Sequence, residues 1–145
     1  MNGNIYSTTS PEDEAAAAAV GLFIGISFIL FAIITYVVVS LSLMRIFKKA
    51  GVKPWIAWVP FYNQWKTLEI GGQQGFWAVL SIVPIVSLVS AIFMYIAMYH
   101  IGKKLGKGDA FVVLGIFLPI VWYIWLAVDK STWNDEASNA PSLAK

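Results

Sequence analysis

The sequence predicts an all-α integral membrane protein, a four-helix bundle with both termini outside the cytoplasm. Three observations carry this prediction. Ala15–Met44, Ile70–Gly102 and Ala110–Val128 contain no Asp, Glu, Lys or Arg, and an apolar run of about 18 or more residues crosses a bilayer as a helix. The basic residues crowd into the gaps between these runs. The chain is 59% hydrophobic and only 12% charged, where a soluble domain carries about 25% charged residues.

The first helix is expected over 16–44. Its start is acidic, with Glu12, Asp13 and Glu14, and its charge-free run is long. A cleaved signal peptide instead has a basic start and an apolar region of about 7–15 residues, so a retained anchor is expected. Arg45, Lys48, Lys49 and Lys53 follow it. Basic flanks stay in the cytoplasm, which places the N-terminus outside. Ala17, Gly21 and Gly25 recur at four-residue spacing. Small residues so spaced let a second helix approach closely, which makes these three the candidate helix-packing residues.

The second helix, 55–70, is the ambiguous one. It would be about 24 Å long, against a hydrocarbon core of about 30 Å. It holds Pro60, Asn63, Gln64, Lys66 and Glu69, polar or helix-breaking residues that are costly in lipid. Two readings follow. Either it spans inside the bundle, or 54–70 lies at the interface or re-enters, leaving three spans. The uncharged Gly71–Gly75 loop suits a short translocated turn and favours the span.

A third helix over 75–101 then returns to Lys103, Lys104 and Lys107. A fourth over 110–128 leads out to Asp129. Pro60, Pro84 and Pro119 fall inside these helices, and each removes a backbone donor and kinks or breaks its helix. Phe76–Val86 and Phe111–Val121 align without gaps; with four spans they run in opposite directions, as inverted repeats do. The tails 1–14 and 130–145 are short and polar, too poor in apolar surface to fold alone, and are predicted to be disordered.

Composition also narrows chemistry. The chain has no cysteine, which excludes disulfides, thiolate metal sites and a Cys nucleophile. His100 is the only histidine and has no acidic cluster around it in sequence, so no metal or other cofactor is expected. Gly106, Lys107 and Gly108 lack the spacing of a phosphate-binding loop and read as a helix stop with a basic flank. The basic residues facing the cytoplasm favour anionic lipid headgroups; nucleic acid is not an expected partner. Lys66 and Glu69, three apart, can pair across one turn. With Asn63 they are functional candidates, as polar groups in a span are by default.

Lys49-Ala50-Gly51, Trp55, the Pro60-x-Tyr62-Asn63 segment and Leu105-Gly106-Lys107-Gly108 together resemble a family of small bacterial multi-spanning membrane proteins catalogued as a domain of unknown function. The resemblance covers about Arg45–Asp129. It implies a multi-pass protein of the bacterial cell (inner) membrane, and it singles out Trp55, Pro60, Tyr62, Asn63, Gly106, Lys107 and Gly108. Some relatives look fused to a signal-peptidase catalytic domain. A Ser/Lys protease needs a Ser and a Lys brought together. Ser81, Ser87 and Ser90 lie within a span with no lysine alongside, so a peptidase label has no residue support. The expected function is non-enzymatic: a structural, assembly or interaction protein bound to a membrane-protein partner or to itself. The alternative is a small transporter or channel subunit working through the second helix, and a membrane enzyme ranks third.

Overall fold

A computed structural model describes residues 10–143. Among them the secondary structure is helical, without a strand. The elements are α1 (Pro11–Lys49), a 3-10 helix (Pro54–Trp58), α2 (Tyr62–Ile70), α3 (Trp77–Leu80), α4 (Pro84–Lys104), α5 (Phe111–Phe117), α6 (Pro119–Val128) and a 3-10 helix (Asp135–Ala137). The chain divides into two units, residues 1–36 and 37–145.

The first unit is helical over its described residues. α1 starts earlier than the expected 16, because Ser10 and Asp13 cap it reciprocally. The Asp13 amide donates to Ser10 Oγ at 3.2 Å, and the Ser10 amide donates to Asp13 Oδ2 at 3.2 Å. Pro11 then fits the first turn, where its missing N–H costs nothing. The rest of the expected tail, 1–9, lies outside the described residues. From Ala15 to Ile34 every side chain of α1 is exposed, and Phe23, Phe28 and Phe31 lie bare. An apolar surface open on all sides is what a lipid-facing span presents.

The second unit folds around Phe47, Ile70, Ile101, Trp122 and Leu126. Three of its helices end in the same way. Gly51, Gly72 and Gly106 each adopt φ +74°. The residue after each glycine donates back to a carbonyl five positions earlier: Val52 to Phe47, Gln73 to Leu68, Lys107 to Gly102. This is the glycine-capped helix end that satisfies carbonyls otherwise left without donors.

The other helix boundaries differ from expectation at the prolines. Over 55–70 the chain is not one helix. It turns at Pro60, and Phe61 takes φ +62°, which leaves α2 with 9 residues, about 13 Å of rise. That is too short to span. Over 75–101 the break falls before Pro84: Val83 is extended at ψ 119°, as the residue before a proline must be. α4 then runs 21 residues to Lys104, about 30 Å.

The expected helix over 110–128 folds back on itself. Leu118 leaves the helical region at φ −134°, ψ 65°, and the Phe111 and Trp125 rings come within 6.1 Å. In a continuous helix those residues would stand about 21 Å apart. Trp122 is fully buried in the angle of this fold-back.

The ends of the helices then meet. Lys107 pairs with Asp129. Lys49 Nζ donates to the Leu126 carbonyl at 2.7 Å, and Lys104 Nζ donates to the Ile70 carbonyl at 2.7 Å. The C-terminal ends of α1, α2, α4 and α6 therefore share one end of this unit. This corrects the expected placement of Asp129 across the membrane from Lys107, since an ion-paired carboxylate and lysine cannot lie on opposite sides of a bilayer. The aligned Pro84 and Pro119 segments likewise lead to the same end rather than running oppositely. Two helices among the described residues, α1 and α4, are long and apolar enough to cross a membrane.

Residues 130–143 are not a free tail either. Asn134 N donates to the Lys104 carbonyl at 2.9 Å, and Leu143 N donates to the Glu69 carbonyl at 2.8 Å. The Asn134 side chain accepts from Glu136 N at 3.0 Å and starts the short 3-10 turn. These polar contacts hold the strap together with Trp133, which packs against the hydrophobic core; a mostly polar composition hides both.

Candidate functional site

α2 gathers most of the candidates. Tyr62, Lys66 and Glu69 recur at helical spacing and share a face. Lys66 Nζ lies 2.6 Å from Glu69 Oε2 and 5.8 Å from the centre of the Tyr62 ring. Trp65 Nε1 donates to Glu69 Oε1 at 2.7 Å. Trp55 meets Tyr62 with ring centres 6.4 Å apart. Asn63 Nδ2 donates to the Ala57 carbonyl at 3.3 Å and ties α2 to the preceding 3-10 helix. Its Oδ1 is buried with no partner among the described residues. Pro60 is exposed and sets the turn ahead of this cluster. Both Glu69 oxygens thus accept hydrogen bonds from its own helix, one from Trp65 and one from Lys66.

The remaining motif residues lie at the end of α4. Gly106 is its cap, Lys107 pairs with Asp129, and Gly108 is exposed with open space around it. Beyond them, exposed Asp109 accepts from Lys103 Nζ at 2.7 Å and from the Tyr99 hydroxyl at 3.0 Å. The Lys103 ammonium, and then the Tyr99 phenol, hold its carboxyl below the usual range.

A serine and a lysine do meet here. Lys49 Nζ is 3.4 Å from Ser131 Oγ, but it also donates to the Leu126 carbonyl at 2.7 Å and the Asp129 carbonyl at 2.5 Å. The two carbonyls are the shorter contacts and hold the lysine between the helix ends. The arrangement pins helix ends, where a cation also complements the carbonyl dipoles.

Lys104 is the residue that the sequence reading missed. Its place in the basic cluster after the third helix predicts a lysine facing the headgroups, yet it is 0% exposed. Its Nζ donates to the Ile70 carbonyl, lies 3.4 Å from Asp135 Oδ1 and sits 5.4 Å from the centre of the Trp133 ring. Trp133 Nε1 donates to the same Asp135 oxygen at 3.0 Å. A buried cation needs such partners. Helical spacing held the signal: Ala97, Ile101 and Lys104 lie at i, i+4 and i+7 on the buried face of α4.

Ala17, Gly21 and Gly25 are exposed in the first unit, and a Cβ added at Gly21 or Gly25 would meet nothing within 4 Å. The seam is open.

A cavity of about 320 Å³ lies between α2, α3, α4 and α6. Gln64, Ser81, Ser87, Ser90 and Tyr123 give it polar lining, and Leu68, Trp77 and Met94 give it apolar lining. Ser90 is 5% exposed, and its hydroxyl has no partner among the described residues. α2 contributes Gln64 and Leu68 here rather than Lys66 or Glu69. No group of three or more His, Asp or Glu able to hold a metal occurs among the described residues.

Residues 55–136 match the profile of a family of unknown function, DUF5684. No curated protein and no solved structure matches the chain.

Proposed function

From the premise that the chain belongs to the family of unknown function DUF5684, we propose that it is a non-enzymatic, multi-pass assembly protein of the bacterial inner membrane. It anchors through α1 and α4 and associates with a second copy of itself, or with another membrane protein, along α1. The observation that carries this reading is the open face of α1. Its apolar surface is exposed over the whole of the first unit's described helix, and the Ala17, Gly21 and Gly25 seam has room for another helix backbone. Arg45, Lys48 and Lys53, with Trp55 and Trp58 beside them, are exposed where α1 ends. Such a basic, aromatic rim suits the anionic headgroup layer of the cytoplasmic leaflet.

The test is the oligomeric mass in mild detergent and the inter-chain cross-linking in native membranes, for the native chain and for Gly21→Leu with Gly25→Leu. The native chain should run as a dimer or with a bound protein, and the double variant should run as a monomer with its fold retained. A native chain that is monomeric and unpartnered in both settings refutes the assembly role.

A further inference from the structure

We infer that the cavity between α2, α3, α4 and α6 binds the headgroup of an uncharged membrane lipid, of the diacylglycerol class. Depth is the first argument. Ser90 lies six residues into α4, about 9 Å of rise from Pro84 and about 21 Å from Lys104. The site thus sits along a membrane-spanning helix, within reach of acyl chains. Charge is the second. The lining includes no Asp, Glu, Lys, Arg or His. A phosphate placed there would lose its hydration with no cation in return, at a cost of many kcal/mol.

Hydrogen-bonding capacity is the third. Ser81 and Ser87 already donate to the Ala78 and Pro84 carbonyls, both at 2.6 Å, and their hydroxyl oxygens remain acceptors. Ser90 Oγ is buried and has no partner among the described residues, so it can both donate and accept. A buried hydroxyl without a partner is costly, whereas one that meets a ligand hydroxyl or ester carbonyl is satisfied. Leu68, Trp77 and Met94 supply the apolar wall. Trp77 is held rigid against Phe93, ring centres 4.2 Å apart. Neutral polar groups beside apolar walls, at hydrocarbon depth, match a glycerol hydroxyl and its ester groups. This lipid site is independent of the association along α1.

The experiment is photo-cross-linking of the full chain in liposomes. A diazirine-bearing diacylglycerol is the probe, and unlabelled diacylglycerol or phosphatidylglycerol with the same acyl chains is the competitor. Cross-links should map to 64–94, and diacylglycerol should compete at least tenfold better than phosphatidylglycerol. Ser90→Ala should reduce labelling about three- to tenfold, the worth of one hydrogen bond. Ala91→Leu, at an exposed lining position, should reduce it comparably without touching the buried serine. Equal competition by the charged lipid overturns the proposal. So does labelling unchanged in both variants, and so does Ser90→Ala raising thermal stability to the same extent with and without diacylglycerol.

Discussion

Lys104 and Asp135 should behave as one thermodynamic unit. In Lys104→Met the apolar replacement fills the space, but the Ile70 carbonyl loses its donor. An unsatisfied buried acceptor costs about 1–3 kcal/mol. In Asp135→Ala the ammonium stays at 0% exposure and loses its carboxylate, while the Ile70 carbonyl and the Trp133 ring still stand against it. Removing one member of a buried pair costs about 3–5 kcal/mol; with Asp135 20% exposed and those two contacts retained, about 3 kcal/mol is expected. At 3.4 Å the pair's attraction is about 5 kcal/mol for an effective dielectric of 20, much of it offset by desolvation. The double variant removes the stranded charge as well as its partner. It should cost about as much as Lys104→Met alone, falling short of the sum of the single variants by about 3 kcal/mol, the cost of Asp135→Ala by itself. Equilibrium unfolding in mixed detergent micelles, followed by tryptophan fluorescence, measures all four corners of the cycle. Costs that add to within about 0.5 kcal/mol would show that the two groups are not coupled and that the strap is held some other way.

Gly71→Ala should separate α2 from α4, because the new Cβ would fall 2.5 Å from Ala97 Cα and 2.7 Å from its carbonyl oxygen. Overpacking against backbone costs about 1–3 kcal/mol, whereas Gly108→Ala, in open space, should stay within about 0.5 kcal/mol; thermal unfolding followed by circular dichroism compares them. The chain has no cysteine, so single cysteines at exposed Lys53, Gly108 and Asn139 can report topology. A membrane-impermeant maleimide should label all three from the cytoplasmic side and none from outside. Labelling of Asn139 from the opposite side to Gly108 would contradict the meeting of the helix ends.

Much of the local structure was legible. The charge-free run before Arg45 became α1, and each predicted proline break occurs: Pro60 at a turn, Pro84 and Pro119 at the first turn of a helix. The Lys66 and Glu69 pair forms as their spacing requires. The strap was not legible, because its anchors are an amide, a carboxylate and a hydroxyl. Asn134 and Asp135 join Lys104, and Ser138 Oγ lies 2.6 Å from His100 Nδ1. Polar composition marks such a segment as unable to build a core, yet it can still be held by a core built elsewhere. The cavity was equally hidden, since Ser81, Ser87 and Ser90 converge with Gln64 and Tyr123 only after the chain turns twice.

By itself, the sequence determined where an apolar helix must form, where prolines stop it and which neighbours pair within a turn. Those outcomes depend on residues a few positions apart. The tertiary structure alone decided that 110–128 folds back, that Lys104 points inward, and that four helix ends share one side. Each depends on a partner that is distant along the chain: Trp125 for Phe111, Asp135 for Lys104, Asp129 for Lys107. A hydropathy run records what a segment tolerates around it. It does not record whether the far end of that segment continues across the membrane or returns to a lysine already waiting at the near one.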